Sequence, residues 1–263
     1  MTRTLPAVTV GVSTKMYFSY ERSLAYARSV AEIAAEHPAV QSGAVEVFVI
    51  PTYPALAETV RILERTPVRV GAQDIATADS GAFTGEVSGA VLAEIGCTLA
   101  EVGHAERRRL FGETDLVTRD KTQAALRNGL TPVLCIGERM PGSTDAAVDE
   151  CVDQLTSALA GTPEGSDLVV AYEPHWAIGA PDPAPAWHIV EVCRGLRAHL
   201  ASDQRLASFR VIYGGSAGPG LLGQLGTAVD GLFLGRYAHD PAALATVIDE
   251  AAALAAVRAG SPA

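Results

Sequence analysis

Three polar residues stand where their side chains could act together on a small molecule. Glu173 follows the apolar run Leu168–Tyr172, so its carboxylate lies at the exit of a predicted strand and could serve as a base. His104 lies at a predicted helix start, where the helix dipole lowers the pKa of an imidazole and favours a neutral ring that donates a hydrogen bond. Lys15 follows another predicted strand and could place a positive charge nearby. Each residue alone has an ordinary explanation, as a helix cap or a surface charge.

The segment after Glu173 has the composition of a movable cover. It is an apolar loop made of Pro174, His175, Trp176, Ala177 and Ile178, and it ends at Gly179. The indole of Trp176 can cover a site, while Pro174 and Gly179 can act as the two hinges. The sequence therefore predicts a lid directly beside the carboxylate.

Glycines follow the last two predicted strands. They occur in Tyr213-Gly214-Gly215-Ser216 and in Leu234-Gly235-Arg236. Because glycine has no Cβ, the backbone N–H groups beside it can approach an anion closely. Turns use the same residues, so this signal is weak when it is taken alone. In parallel barrels, however, the loops after the last two strands commonly hold phosphate.

These residues are set in a repeating order of short apolar strands and longer amphipathic helices. Strands are predicted at Val8–Val12, Val45–Ile50, Arg69–Ala72, Thr98–Val102, Pro132–Ile136, Leu168–Tyr172, Arg210–Tyr213 and Asp230–Leu234. Helices are predicted between them, for example at Glu21–Glu36, Pro54–Glu64, Asp145–Ala160, Pro185–Leu200 and Pro241–Val257. Eight strand–helix pairs predict a parallel (β/α)₈ barrel, whose active site forms at the C-terminal ends of the strands. No linker suggests a second domain, so we expect one domain over residues 1–263.

The composition argues against several classes of function. The formal net charge is -10, which disfavours a general attraction to nucleic acid or to an anionic membrane. No uncharged apolar run is long enough to span a bilayer, and Met1–Pro6 lacks the apolar core of a signal peptide. Cys97, Cys135, Cys151 and Cys193 form no CxxC pair and no Cys/His metal spacing. We therefore expect neither zinc nor disulfides, and we expect the reducing cytoplasm as the location.

Five short motifs occur in a fixed order along the chain. They are Gly-Ala-Phe-Thr-Gly-Glu at 81–86, Gly-His-x-Glu-Arg-Arg at 103–108, Cys-Ile-Gly-Glu at 135–138, Tyr-Glu-Pro-x-Trp-Ala-Ile-Gly at 172–179 and Tyr-Gly-Gly-Ser at 213–216. Five matches in register make coincidence negligible. Over nearly its whole length, the chain resembles the triosephosphate isomerase family.

This resemblance implies an enzyme that moves a carbonyl group through an enediol. Glu173 would remove a proton from the carbon beside the carbonyl, His104 would polarise the carbonyl and move protons between the two oxygens, and Lys15 would stabilise the developing enediolate. The phosphate of a small sugar phosphate would be held by Gly179, Gly214, Gly215, Ser216 and Gly235. The lid would exclude water. The resemblance implies neither a metal nor an organic cofactor.

The resemblance also implies a homodimer. In the family, the residue that matches Thr84 lies on a loop that reaches into the neighbouring subunit's site, and Glu86 and Arg107 form a pair that supports it. Glu106 and Cys135 are assigned to the support of the reacting groups rather than to the chemistry. Nucleic acid and membrane are not expected as partners.

The chain departs from the family pattern around the predicted pocket. Ser13 stands where the family has asparagine, and Ala105 stands where it has serine. These two smaller side chains, expected at the reacting end, would make room for another carbon with its hydroxyl. Arg236 replaces a glycine of the phosphate loop and could bind phosphate directly. In the lid, His175 replaces a small apolar residue, and Ala180–Asp182 replaces the usual Thr-Gly-Lys.

Three functions fit these observations. The favoured one is an isomerase that interconverts L-erythrulose 1-phosphate and D-erythrulose 4-phosphate, as in the erythrulose-phosphate isomerase branch used in tetritol breakdown. An authentic triosephosphate isomerase of glycolysis, acting on dihydroxyacetone phosphate and D-glyceraldehyde 3-phosphate, has nearly equal support. A barrel that binds a sugar phosphate without catalysis has the least support, because a binder does not need a base beside a lid.

The remaining histidines and the second tryptophan are expected to have structural positions. His37, His188, His199 and His239 are expected at the surface or satisfied at helix ends. Trp187 is expected to pack within the helix that follows the lid.

Overall fold

Eight parallel strands close into a barrel in the order of the sequence. The computed structural model describes residues 7–260, so the expectation for Met1–Pro6 lies outside it. The strands are β1 (Val8–Ser13), β2 (Val45–Ile50), β3 (Arg69–Ala72), β4 (Leu99–Val102), β5 (Thr131–Ile136), β6 (Ser166–Tyr172), β7 (Leu206–Tyr213) and β8 (Gly231–Leu234). Each strand pairs with its successor, and β8 pairs with β1. The predicted (β/α)₈ barrel is confirmed.

The predicted strands agree with the observed ones to within two residues, except at one end of β7. This strand begins at Leu206, four residues before the predicted start at Arg210. Its first half, Leu206–Phe209, is only partly buried and therefore lacks the continuous apolar run that marks the other strands.

Ten α-helices surround the strands in the described part of the chain. They are α1 (Tyr20–Glu36), α2 (Pro38–Gln41), α3 (Tyr53–Leu63), α4 (Gly89–Ile95), α5 (Ala105–Phe111), α6 (Asp115–Arg127), α7 (Thr144–Ala158), α8 (Ala186–Ala201), α9 (Leu221–Leu225) and α10 (Pro241–Arg258). Side-chain oxygens of Ser19, Ser143 and Asp240 accept backbone N–H groups at the starts of α1, α7 and α10, which fixes where these helices begin. Within residues 7–260, no helix combines the length and apolarity needed to cross a membrane.

Two apolar cores hold the barrel. The larger one lies between the outer faces of the strands and the helices. The smaller one fills the barrel interior and consists of Phe48, Ile50, Leu99, Val133, Cys135, Val169, Ala171, Ile212 and Phe233. Each large apolar side chain buried there contributes about 1.5–3 kcal/mol to folding. The interior is therefore a packed layer, on which the loops after the strands form a rigid rim.

Of the expectations for His188 and Trp187, the first is met and the second is wrong. His188 lies in the first turn of α8, and although it is buried it is satisfied there, because its Nε2 lies 2.9 Å from Oε1 of Glu138. Trp187 is 64% exposed rather than packed, because its position on α8 turns it away from the barrel. A 3.6-residue period places adjacent residues on different helix faces.

Closure of the barrel depends on a glycine at the first position of β8. Gly231 has φ 154°, and a Cβ at this position would overlap the backbone of Thr9 on β1. Only a residue without a side chain lets β8 approach β1 closely enough for the pairing that joins Thr9 to Gly231 and Val10 to Leu232.

We predict that Gly231→Ala lowers the free energy of unfolding by about 3 kcal/mol or more, because it adds a steric overlap to an unfavourable φ. Gly223→Ala is the matched control, since its Cβ would meet open space inside α9. That control should be neutral or slightly stabilising. Urea denaturation of both variants is the measurement, and equal stabilities would contradict the assignment of Gly231 to closure.

Candidate active site

A cavity of about 210 Å³ opens at the C-terminal end of the barrel. Its wall contains side chains or backbone from the loops after β1, β4, β6, β7 and β8. Most of the residues predicted for the site lie in this wall, namely Ser13, Lys15, His104, Glu106, Glu173, Ile178, Gly179, Gly214, Ser216, Gly235 and Arg236. The fold thus brings together segments that are up to 223 positions apart in the sequence, from Ser13 to Arg236.

The Glu173 carboxylate is buried because two glycines make room for it. Its backbone N–H donates to the carbonyl of Ile136 at 2.8 Å, which continues the β5–β6 pairing beyond the strand end. A Cβ at Gly137 would overlap the Glu173 carbonyl, and a Cβ at Gly214 would overlap its carboxylate. Burial raises the pKa of Glu173 to about 7, although Lys15 acts in the opposite direction. A carboxylate whose pKa lies near neutrality is suited to serve as a base at neutral pH.

His104 is held as a neutral ring that donates through Nε2. It caps the N-terminus of α5, and its Nδ1 accepts the backbone N–H of Glu106 at 3.0 Å. A ring nitrogen that accepts carries no proton, so the proton of a neutral ring is on Nε2. Nε2 lies 3.3 Å from Oε2 of Glu173. Burial and, after it, the charge of Lys15 lower the pKa of His104 to about 3.

Lys15 is fixed in a strained conformation at the mouth of the barrel. Its φ of 46° lies in the left-handed region, and its carbonyl accepts from Nε2 of Gln73 at 2.8 Å. The ammonium donates to Oε1 of Glu106 at 2.8 Å. Burial lowers the pKa of Lys15, but Glu173 and Glu106 outweigh burial and raise it above its ordinary value. Lys15 therefore remains positively charged. It is held in place by Glu106, to which the sequence analysis assigned a supporting role.

The glycine-rich end of the cavity differs from the prediction at one position. Gly179, Gly214, Ser216 and Gly235 line it, whereas Gly215 does not. Gly215 lies behind the wall, where a Cβ would press on the hydroxyl of Tyr213. The guanidinium of Arg236 lines the cavity and also donates to the Gly179 carbonyl at 3.2 Å.

The predicted lid is tied to the barrel by several hydrogen bonds. Its centre is a short 3₁₀ turn, His175–Ala177, in which Nε1 of Trp176 donates to Glu138 at 2.9 Å. The Ser216 Oγ lies within hydrogen-bond distance of the carbonyl oxygens of Ala177 and Ala180, at 3.0 and 2.9 Å, and its single proton is shared between them. These bonds hold Ile178 and Gly179 over the cavity.

Four residues with polar side chains at or beneath the cavity were not assigned to the site from the sequence. Tyr17, Arg109 and Tyr237 line its wall. Glu101 lies beneath Ser13 and accepts its hydroxyl at 3.2 Å. Only Glu101 left a signal in the sequence, because it is the one charged residue in the otherwise apolar run Leu99–Val102.

Two further expectations need correction, one about a supporting pair and one about a residue at the reacting end of the pocket. Arg107 does not pair with Glu86 within the described chain; its Nε lies 2.8 Å from Asp74 and 2.5 Å from Glu113, two carboxylates that are more buried than Glu86. Ala105 does not line the active-site cavity but a neighbouring one, together with His175. Thr84 and Glu86 are exposed in the single chain, and Cys135 is buried beside Glu101.

Among residues 7–260, no cluster of histidine, cysteine and acidic side chains has the arrangement of a metal site.

Comparisons with known proteins agree with this geometry. The family model described as triosephosphate isomerase matches residues 8–251. The chain is 55% identical to an L-erythrulose-1-phosphate isomerase of Pectobacterium atrosepticum, over 93% of this chain and 95% of that protein. It is 42% identical to a protein of the same name from Rhizobium etli, over 88% and 87% of the two chains. It is 40% identical to a triosephosphate isomerase of Rhodococcus jostii, over 89% and 90%.

A solved structure shows the same architecture. The crystal structure of triosephosphate isomerase from Bartonella henselae superposes with a TM-score of 0.78 and 26% identity, covering 93% of this chain and 98% of that one. The fold, the order of the motifs and the sequence relatives therefore lead to one assignment. The chain is a sugar-phosphate isomerase that belongs to the triosephosphate isomerase family.

Proposed function

We propose that this protein interconverts L-erythrulose 1-phosphate and D-erythrulose 4-phosphate. The observation that carries this proposal is the pocket wall beside Lys15, where the short hydroxyl side chain of Ser13 replaces a larger amide. A shorter side chain leaves space for a fourth carbon, and its hydroxyl can bond to the added substrate hydroxyl. The names of the relatives that are 55% and 42% identical support the same substrate.

The reaction moves one proton and shifts the carbonyl between the two central carbons. Glu173 takes the proton from C3 of L-erythrulose 1-phosphate, and the electron pair of the broken C–H bond forms the C2–C3 double bond of an enediolate. Nε2–H of His104 bonds to the developing oxyanion and moves a proton between the two oxygens, while Lys15 stabilises the negative charge. Glu173 then returns a proton to C2, which leaves the carbonyl at the former C3.

The glycine-rich end of the cavity binds the phosphate in this proposal. The backbone at Gly179, Gly214 and Gly235 can approach phosphate oxygens closely, and Arg236 adds a positive charge that a glycine would lack. Because Arg236 also bonds to the Gly179 carbonyl, phosphate binding and the position of the lid are coupled. A lid held over the phosphate keeps water away from the enediolate.

Isomerisation of triose phosphates is the second candidate. It is favoured by the relative of 40% identity that bears the name triosephosphate isomerase, and it needs the same three residues, Lys15, His104 and Glu173. The two candidates differ only in the shape of the pocket, which gives modest discrimination for each added group.

The proposal predicts that kcat/KM for L-erythrulose 1-phosphate exceeds that for D-glyceraldehyde 3-phosphate by about tenfold or more on one preparation. Coupled assays of both substrates at one pH measure this ratio. A Ser13→Asn variant, which restores the larger amide, should lower the ratio. A clear preference of the unmodified protein for the triose phosphate would contradict the four-carbon substrate and leave the second candidate.

The pKa of Glu173 predicts how the rate depends on pH. Since the base must be ionised and its pKa is raised to about 7, kcat/KM should rise with pH through about 7 rather than through the 4.5 of an ordinary glutamate. The substrate phosphate titrates near pH 6, so its ionisation is determined separately by ³¹P NMR and removed from the profile. A corrected rising limb near pH 4.5 would contradict the role of burial at Glu173.

We also propose that the protein works as a homodimer. Large apolar side chains stand exposed in or after the loops that follow β1, β3 and β4, among them Met16 at 91%, Phe83 at 49% and Phe111 at 66%. These loops share the C-terminal end of the barrel, beside the active site. Exposed apolar residues next to the exposed Thr84 form a face that a second copy would cover.

Sedimentation should therefore give twice the 27.3 kDa mass of one chain. Phe83→Glu places a charge in the proposed interface and should yield monomers with reduced activity. Trp187→Glu is the matched control, because this exposed aromatic lies on α8, away from those loops, and it should leave the dimer intact. A monomeric unmodified protein, or a dimeric Phe83→Glu variant, would contradict the proposal.

We place the protein in the cytoplasm. All four cysteines are buried as free thiols, and the chain is strongly acidic. Free buried thiols fit a reducing compartment.

A further inference from the structure

A carboxylic acid occupies the interior of the barrel directly below the pocket. Glu101 on β4 is 3% exposed and stands two residues after Leu99, which belongs to the apolar layer inside the barrel. Because side chains alternate along a strand, Glu101 points to the same interior side, one step closer to the active site. A buried carboxyl group destabilises the fold unless its oxygens are bonded. Packing alone therefore gives no reason for a carboxyl group at this place.

The two oxygens of Glu101 have different partners. Oε2 accepts the Ser13 hydroxyl at 3.2 Å, and Oε1 lies 4.0 Å from the thiol of Cys135. Ser13 also lines the pocket, whereas Glu101 does not. Glu101 can therefore reach a bound substrate only through Ser13.

The charges that face Glu101 come from three segments. Lys15 follows β1, Glu106 lies on α5 and Glu173 follows β6. Burial and the nearby Glu173 carboxylate raise the pKa of Glu101 to about 8, although Lys15 and the Ser13 hydroxyl act in the opposite direction. At neutral pH Glu101 is thus mainly a neutral acid, and with its proton on Oε1 the other oxygen, Oε2, accepts the Ser13 hydroxyl.

This arrangement sets the hydrogen-bonding character of Ser13. A hydroxyl has one proton to donate and two lone pairs that accept. When the proton is committed to Glu101, the oxygen presents only lone pairs to the pocket. An acceptor repels the oxygens of a phosphate or an enediolate but bonds well to the hydroxyl of a sugar.

We propose that Glu101 is a positioning residue that holds Ser13 as a hydrogen-bond acceptor, so that the pair selects a substrate with a hydroxyl at the added carbon. This inference rests on the four-carbon substrate proposed above and assigns a residue to its recognition. Ionisation of Glu101 would add a second negative charge beneath the enediolate. The inference therefore links substrate choice and the alkaline side of the pH profile to one buried group.

Two variants of Glu101 test the proposal. Glu101→Leu keeps a similar volume but cannot accept the Ser13 proton, and Glu101→Gln keeps an accepting oxygen but cannot ionise. The measured quantity is the ratio of kcat/KM for L-erythrulose 1-phosphate to that for D-glyceraldehyde 3-phosphate, with KM and kcat determined separately. Glu101→Leu should lower this ratio about tenfold, mainly through KM for the four-carbon substrate. Glu101→Gln should restore most of the ratio and remove a falling limb of kcat/KM near pH 8.

Further variants separate positioning from packing. Ser13→Ala should lower the ratio as Glu101→Leu does, and the double variant should lower it no further, because both changes remove one interaction. Leu99→Val alters the same strand and face one layer deeper and should leave the ratio unchanged. The ratio of the unmodified protein tests the four-carbon substrate, whereas the changes among the variants test Glu101.

The role of Glu101 is overturned if Glu101→Leu lowers both kcat/KM values equally, or if the effects of the Ser13 and Glu101 changes simply multiply. If Glu101→Leu fails to fold, Glu101→Gln decides the matter. An alkaline limb near pH 8 that persists in Glu101→Gln contradicts the proposal, and its disappearance supports it.

Discussion

The burial of one carboxylate is the constraint on which the site depends. The Glu173 carboxylate is buried away from water. One of its oxygens has no hydrogen-bond partner among the described residues, and that oxygen lies 3.3 Å from the neutral imidazole of His104. Burial makes it a stronger base and also makes its charge costly. Lys15 offsets part of that cost and is in turn held by Glu106. Glu173 and Glu106 thus have different roles. Burial keeps Glu173 basic, whereas Glu106 keeps Lys15 in place.

The barrel accommodates the buried Glu173 in two ways: glycines leave space for its side chain, and strained backbone segments position the residues around it. Gly137 and Gly214 leave the space that Glu173 fills, and a methyl group at either position would displace the base. Lys15 and Ser216 are the non-glycine residues with positive φ in the described chain, and both line the cavity. Strain of about 1–3 kcal/mol for each residue persists because the closed sheet and the lid contacts leave these segments no alternative. The stability of the barrel therefore supports the geometry of the site.

Sequence patterns predicted the strands, and the presence of Lys15, His104 and Glu173 at one cavity, because both leave local signals. An apolar run that ends on Glu173, or a histidine at the start of α5, is visible without any knowledge of distant residues. The hydrogen-bond and ion-pair partners of each side chain, in contrast, cannot be predicted from neighbouring residues in the sequence. The pairing of Arg107 with Asp74 and Glu113, the burial of His188 against Glu138 and the contact between Ser13 and Glu101 each depend on segments that only the closed barrel brings together. Gly215 was misplaced for a similar reason, since its motif does not show which of two glycines faces the cavity.

Proton transfer by Glu173 between the two central carbons of the substrate is the central claim, and isotope exchange tests it most directly. L-erythrulose 1-phosphate is incubated with the protein in D₂O, and the product is examined by NMR and mass spectrometry. We predict deuterium at C3 of D-erythrulose 4-phosphate, and a loss of exchange of about 10²–10⁴-fold in Glu173→Gln. Conversion without any deuterium in the product, or undiminished exchange in Glu173→Gln, would contradict the account.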